Sequence, residues 1–99
     1  MYTVIETTIF RKYADAVWAD AEREAFIGWI AEHPEAGDVI PGTGGLRKVR
    51  WMRSGRGKQG GTRVIYYNRL DQGHIWLLIV YAKTKFDDLP VAFLNTLKQ

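Results

Sequence analysis

Cationic side chains alternate with apolar ones between Leu46 and Arg69, a segment that contains eight lysines and arginines and no acidic residue. Lys48 and Arg50 stand at alternate positions, and Arg63 opens the apolar second part of the segment. Such alternation places charge on one face of a strand and packing groups on the other. A cationic sheet face with interspersed aromatic rings suits a polyanion such as RNA. The pattern therefore predicts a phosphate-binding surface.

The two halves of the chain carry opposite charge. Residues 1–45 contain eight acidic and three basic side chains, whereas residues 46–99 contain three acidic and eleven basic ones. The asymmetry indicates an anionic partner for the C-terminal half. By itself it does not choose between RNA, DNA, an acidic protein and a membrane surface. The acidic half is more typical of solvated helix faces than of a site.

Length and composition indicate one globular domain spanning residues 1–99. There is no cysteine, which excludes disulfides and thiolate metal sites and suits a cytoplasmic protein. Glu6 interrupts the first apolar run, which has no basic leader, so a signal peptide is not expected. The apolar run from Ile75 to Ala82 is too short to span a bilayer and is typical of a strand buried on both faces.

The first part of the chain predicts a strand and two helices. Tyr2 to Thr7 is β-branched and short, as strands are. We expect Thr8 to cap a first helix and Asp20 to cap a second, which Pro34 ends. The residues predicted to face the core follow helical spacing: Phe10, Tyr13, Ala14, Val17 and Trp18, then Phe26, Ile27 and Ile30.

The remainder predicts three strands and a helix. The strands are expected over 46–52, 62–70 and 75–82, with a glycine-rich hairpin loop over 54–61 and a turn over 71–73. Asp87 or Asp88 is expected to cap the last helix, with Pro90 in its first turn. The order β-α-α-β-β-β-α predicts an α+β fold, with an N-terminal αα-hairpin and a C-terminal helix packed on one face of a mainly antiparallel sheet.

Several kinds of chemistry lack the residues that they need. His33 and His74 are the only histidines and have no ligand spacing around them, so we expect no metal and no cofactor. The glycine-rich segments match neither a P-loop nor a dinucleotide-binding pattern. Ser54 is the sole serine, and no serine hydrolase motif surrounds it. Of the four tryptophans, Trp51 is the candidate for base stacking because it lies among arginines.

Together, these segments resemble the RelE/HigB toxins, and more closely the HigB-type branch of bacterial type II toxin–antitoxin systems. The resemblance is carried by residues 37–50, by the run from Gly57 to Tyr67, by the run from Leu77 to Lys83, and by Asp88 and Leu89. It implies a RelE-like fold and a small RNase that cuts mRNA in the ribosomal A site. It also implies inhibition by a cognate antitoxin, often a helix-turn-helix protein. The implied reaction is metal-independent: the ribose 2′-hydroxyl attacks the adjacent phosphate and leaves a cyclic phosphate.

The resemblance also assigns roles to particular residues. Arg63 corresponds to the strand arginine that contacts the scissile phosphate, and Lys48 and Arg50 correspond to a basic pair that supplies a general base and a phosphate clamp. Tyr81 and Lys83 lie where the family places its last catalytic groups. Thr84 stands where the best-studied branch has an arginine. That branch also has a tyrosine further on, near the position of Pro90, which this chain lacks. The role of general acid would therefore fall to Tyr81 or Lys83. The cations expected to contact rRNA or mRNA without a catalytic role are Arg47, Arg56 and Lys58.

Two other functions fit the same basic surface. One is a non-catalytic module that binds RNA or the ribosome, and the other is a toxin-like protein that only binds its antitoxin. All three predict RNA binding that weakens with salt. An enzyme would bring Lys48, Arg50, Arg63 and one of Tyr81 or Lys83 around a single phosphate-sized concavity, whereas a binding module would spread them along a groove. The free toxin is expected to be a monomer.

Overall fold

A five-stranded sheet forms the centre of the protein. The computed structural model describes residues 2–51, 61–82 and 89–98. The strands are β1 (Thr3–Glu6), β2 (Asp38–Val39), β3 (Leu46–Trp51), β4 (Thr62–Arg69) and β5 (His74–Ala82). The helices are α1 (Thr8–Val17), α2 (Asp20–Glu32) and α3 (Val91–Thr96), and a 3-10 turn spans Leu70–Gln72. No helix in this described part of the chain is long and apolar enough to cross a membrane.

The strands are arranged in the order β1-β5-β4-β3-β2. β1 is parallel to β5, and all other neighbours are antiparallel. The predicted α+β class and the mainly antiparallel sheet are therefore confirmed. The short strand β2 was not predicted, because two residues cannot show the alternation from which strands are recognised.

The helix starts differ slightly from those predicted. Thr7, rather than Thr8, caps α1, and its hydroxyl accepts a hydrogen bond of 3.2 Å from the Phe10 N–H. α2 begins at Asp20, and the residue at its cap position is Ala19, so Asp20 does not cap the helix as predicted. Asp20 lies in the first turn instead, where its negative charge interacts favourably with the helix dipole. Pro90 precedes α3 as its cap residue instead of lying in the first turn. The aspartates predicted to cap α3, Asp87 and Asp88, lie outside the described residues.

The sheet separates two apolar cores. On one side, α1 and α2 pack on β3, β4 and β5 through Phe10, Ala14, Trp18, Phe26, Ile30, Val49, Val64, Tyr66, Ile75, Leu77 and Val80. On the other side, Leu94 and Leu97 near the C-terminus pack on Leu46, Ile65, Leu78, Ile79 and Tyr81. The expectation that all helices lie on one face is therefore wrong. The central strands carry apolar residues on both faces, and both faces need a cover.

A β-bulge lies where the two cores meet across β4 and β5. Ile65 is opposite Ile79, but the next residue, Tyr66, is opposite Leu77, so that Leu78 is one residue too many in β5. Leu78 packs with Ile79 in the core on the α3 side, whereas Leu77 packs on the α1–α2 side. The bulge thus determines which β5 side chains face α3.

The Tyr66 hydroxyl holds the segment after α2 against the sheet. It donates a hydrogen bond of 2.8 Å to the Pro34 carbonyl and accepts one of 2.9 Å from the Gly37 N–H. A Cβ added at Gly37 would lie 2.8 Å from the Lys48 carbonyl oxygen, which is closer than side chains tolerate, so glycine is required there. The buried tyrosine therefore aligns β2 beside β3.

Tyr66→Phe is expected to lower the free energy of unfolding by about 1–3 kcal/mol, because it leaves the buried Gly37 N–H without a partner, whereas the Pro34 carbonyl keeps its hydrogen bond from Asn68 Nδ2. Urea denaturation of the two proteins measures the difference. Tyr67→Phe is the matched control, since no described group hydrogen-bonds to the Tyr67 hydroxyl. Equal effects of the two substitutions would contradict the role given to Tyr66.

Burial raises the pKa of the Tyr66 hydroxyl, although the hydrogen bond from Gly37 opposes the shift. Above a pH of about 10 the tyrosine of the unfolded chain loses its proton while the folded one keeps it, so stability falls as the pH rises. The stability advantage of the wild type over Tyr66→Phe should therefore narrow above this pH. Urea denaturation of both proteins between neutral and alkaline pH tests this, and an advantage that stays constant or widens would contradict it.

Candidate nucleic-acid interface

Arg50, Arg63 and Tyr81 form a row across three neighbouring strands. Arg50 of β3 is directly opposite Arg63 of β4, which in turn is directly opposite Tyr81 of β5. Residues directly opposite one another point to the same face of a sheet, with Cβ atoms roughly 4.5–5.5 Å apart. The face is the one that α3 covers, because Tyr81 packs in the α3-side core. We call Arg50, Arg63 and Tyr81 the cationic row.

Exposure falls steeply along the cationic row. Arg50 is exposed, only 9% of the Arg63 surface is accessible, and only 2% of the Tyr81 surface is. The row therefore runs from an exposed position on β3 into the core. Arg50 is the group that an incoming anion meets first, and Arg63 lies at the boundary between solvent and core.

Lys48 lies on the same face as Arg50, two residues earlier in β3. Its side chain is half-buried, and its neighbour in β4 is Ile65. On the outer side it is directly opposite Asp38 of β2. The structure thus places three of the predicted site residues, Lys48, Arg50 and Arg63, on one sheet face.

The pairing of Arg50 with Arg63 is electrostatically unfavourable in isolation. Like charges directly opposite across two antiparallel strands repel each other. The repulsion is greater where a side chain is withdrawn from water, as Arg63 is, because solvent screens it less. An anion held between the two guanidinium groups would turn repulsion into attraction, and a phosphate accepts hydrogen bonds from both.

Arg47 and Trp51 lie on the opposite face. The Arg47 guanidinium donates a hydrogen bond of 2.7 Å to the Gly37 carbonyl. The Trp51 ring lies 5.3 Å from that of Phe26 and 5.2 Å from that of Trp29, both in α2. The structure therefore does not bring these two residues together with the cationic row, and the position of Trp51 is that of a core contact.

Three predicted residues fall outside the part of the chain that is described. These are Arg56, Lys58 and Lys83. Their assignments to RNA binding and to catalysis stay predictions. Within residues 2–51, 61–82 and 89–98, no group of three His, Asp or Glu side chains is placed to hold a metal ion.

A cavity of about 230 Å³ opens on the α3 side, at the other end of β4 from Arg63. Its lining contains two cations and two aromatic rings that were not predicted to belong to a site: Tyr67, Arg69, Trp76 and Lys98. Thr7, Leu78 and Leu97 complete it. Arg63, Tyr67 and Arg69 are separated by even numbers of residues in one strand and so share a face. This pattern could have indicated part of the group from the sequence. The approach of Lys98 depends on how α3 packs, which no local pattern gives.

The fold is similar to that of a solved double-arginine mutant of the E. coli toxin RelE in the free state. The TM-score is 0.63 with 17% sequence identity, and the match covers 96% of this chain and 94% of that one. The chain has the RelE fold. No family model matches the sequence. The RelE-like fold that the resemblance implied is thus confirmed, and the assignment to the HigB-type branch stays a prediction.

Arg50→Gln is expected to raise the free energy of unfolding by a few tenths of a kcal/mol at low ionic strength, because it removes the repulsion with Arg63. The gain should disappear near 1 M salt, where the screening length is about 3 Å. Denaturation of the ligand-free protein across a salt series measures both effects. Lys12→Gln, at an exposed position of α1, is the matched control. A loss of stability in Arg50→Gln that is independent of salt would contradict the repulsion.

Proposed function

We propose that the protein is a ribosome-dependent mRNA endonuclease, the toxin of a type II toxin–antitoxin system. The observation that supports this most is the cationic row. Two arginines face one another on one sheet face, with Lys48 beside them, in a fold shared with a known toxin. A phosphate can accept hydrogen bonds from both guanidinium groups, so the arrangement suits a site whose ligand is an RNA backbone.

In the proposed reaction, a ribose 2′-hydroxyl attacks the adjacent phosphorus, and the 5′-oxygen of the next nucleotide departs. Lys48 takes the proton from the 2′-hydroxyl. Arg50 and Arg63 hold the non-bridging oxygens and stabilise the negative charge that builds up on the phosphorane. The departing oxygen takes up a proton, and the products are a 2′,3′-cyclic phosphate and a free 5′-hydroxyl. Phosphate stabilisation by the two arginines requires no metal ion.

The general acid has two candidates. Tyr81 adjoins Arg63 in the cationic row, but it is almost wholly buried among apolar residues. Its burial favours a role in packing behind Arg63. Lys83, two residues further along the chain, is the other candidate that the family resemblance supplies. The comparison of Tyr81→Phe with Lys83→Ala would separate them, because only loss of the acid slows departure of the 5′-oxygen.

The proposed function implies two partners. Translating ribosomes present the mRNA, and a cognate antitoxin, expected to be a helix-turn-helix protein, inhibits the toxin. The free toxin is proposed to be a cytoplasmic monomer. The assignment to the HigB-type branch rests on the sequence resemblance.

A non-catalytic RNA- or ribosome-binding module is the second candidate, and the burial of Tyr81 favours it. If Tyr81 only packs, the cationic row holds a phosphate without supplying a proton to the leaving oxygen. Such a module would bind RNA with the same dependence on salt and would leave the message intact.

A reconstituted translation reaction with a defined mRNA tests the proposal, with new 5′ ends mapped by primer extension. The wild type is expected to cut within the reading frame, only in the presence of ribosomes. Arg63→Ala and Arg50→Ala should each reduce cleavage about 100-fold or more, the usual cost of removing one group that stabilises a transition-state charge. Circular dichroism establishes that each variant is folded.

Lys12→Ala removes an exposed cation from α1 and serves as the control for loss of charge. Its cleavage should equal that of the wild type. An intact message with folded, RNA-bound protein would reject the nuclease and favour the binding module. Cuts that do not need ribosomes would keep the nuclease and reject its dependence on them.

A further inference from the structure

The cavity beyond α3 combines flat aromatic walls with positive charge. Tyr67 of β4 is directly opposite Trp76 of β5, so the two side chains point to the same face of the sheet, the one that α3 covers. Both side chains are half-buried and each lines the cavity. Aromatic side chains on neighbouring strands can form a platform on which a planar heterocycle stacks.

The cations of the cavity come from two different elements. Arg69 ends β4 and is exposed. Lys98 follows α3, and its ammonium donates a hydrogen bond of 2.9 Å to the Thr43 carbonyl and lies 5.7 Å from the centre of the Tyr67 ring. In the described parts of the chain, neither cation forms an ion pair with a carboxylate. An anion could therefore bind both without displacing an acidic side chain.

Two buried polar atoms lie beside this platform. The Trp76 Nε1–H has no hydrogen-bond partner among the described residues, nor has the Nδ1 of His74. The two rings approach edge to face at 6.1 Å.

From these observations we propose that the cavity is a nucleotide-binding pocket, with the base on the Tyr67–Trp76 platform and the phosphate between Arg69 and Lys98. Its volume is about 230 Å³, below the range of roughly 300–1,000 Å³ typical of ligand pockets, so it encloses part of a nucleotide and not the whole of it. Thr7 and the two leucines close the remaining walls.

The pocket and the cationic row lie on the same face but are separate. Arg63 and Tyr67 are four residues apart in β4, about 13 Å at the rise of a strand. Leu97 lines the pocket and belongs to the same core as Tyr81 of the row. The role of the pocket in the cell rests on the proposed function: if the protein is an mRNA endonuclease, the pocket is a second contact for the same RNA. Binding of a nucleotide itself does not require that the protein cleaves anything.

An acidic peptide is the competing ligand. Its carboxylates would form ion pairs with Arg69 and Lys98, but it has no planar base to stack on the Tyr67 and Trp76 rings. We favour the nucleotide because aromatic surface and positive charge occur in the same cavity, and a nucleotide is the ligand that offers a stacking plane and an anion in one unit.

Titration of the full chain with adenosine 5′-monophosphate tests the pocket. The readout is the indole N–H resonances of the four tryptophans of the chain in nuclear magnetic resonance spectra. The Trp76 resonance is expected to shift with saturation. Ribose 5-phosphate, which lacks the base, should bind at least about tenfold more weakly. Arg69→Ala should weaken nucleotide binding about tenfold, and Tyr67→Leu by a similar factor. Lys12→Ala should bind as the wild type does.

Each outcome decides for or against the pocket. A Trp76 resonance that does not move, or equal affinity for ribose 5-phosphate, would overturn it. A glutamate-rich peptide that binds more tightly than the nucleotide and displaces it would replace the proposal with a peptide site. If the protein binds the nucleotide but leaves mRNA intact, the pocket is supported and the proposed nuclease activity is rejected. A protein that cuts mRNA but binds no nucleotide at Trp76 keeps the nuclease and loses the pocket.

Discussion

The burial of β4 on both faces is the constraint on which the rest of the structure depends. Val64 and Tyr66 face the core under α1 and α2, whereas Ile65 faces the core under α3. A strand enclosed in this way restricts the backbone of the residue at which its buried part begins. Arg63 is that residue, and its backbone is held by β3 on one side and β5 on the other. The surrounding apolar packing thus positions a charged group that would otherwise prefer full solvation.

The elements on either side of β4 are held by a small number of polar contacts. Tyr66 connects the segment after α2 to the sheet, and the Thr43 hydroxyl donates to the Ile40 carbonyl and accepts from the Leu46 N–H. These contacts fix the start of β3, and with it the direction in which Lys48 and Arg50 point. On the other side of the molecule, Arg23 of α2 forms ion pairs of 2.8 Å with Glu6 and 2.9 Å with Asp15, which join β1, α1 and α2. The pKa of Arg23 is raised, chiefly by the hydrogen bond to Glu6, so that its charge is secure.

Much of this fold could be predicted from local patterns. The helical spacing of Phe10, Ala14 and Phe26 and the apolar run of β5 were long and regular enough to identify the elements and their buried faces. What local patterns could not give was which face of the sheet each helix covers, because β4 and β5 are apolar on both faces and their alternation carries no direction. That ambiguity put α3 on the wrong side. It also concealed that Trp51 would pack against α2 although arginines surround it in the sequence.

The candidate site shows the same division between local and long-range information. Alternation alone predicted that Lys48 and Arg50 share a face. That Arg50 is directly opposite Arg63, and Arg63 opposite Tyr81, follows from strand register, which depends on contacts across the whole sheet. The cavity at Tyr67 and Trp76 depends on register as well and on the bulge at Leu78, which changes the face presented by β5.

The shortness of β2 has a consequence for how the protein behaves in concentrated solution. β2 pairs with β3 only at Lys48 and Arg47, so among the described residues the outer side of β3 from Val49 to Trp51 has no strand beside it. An open sheet edge invites a second copy of the chain to add its own edge, which is a common start of aggregation. The exposed charge of Arg50 opposes such pairing, since two copies would bring like charges together. The residue that is proposed to hold phosphate is therefore also expected to protect the edge.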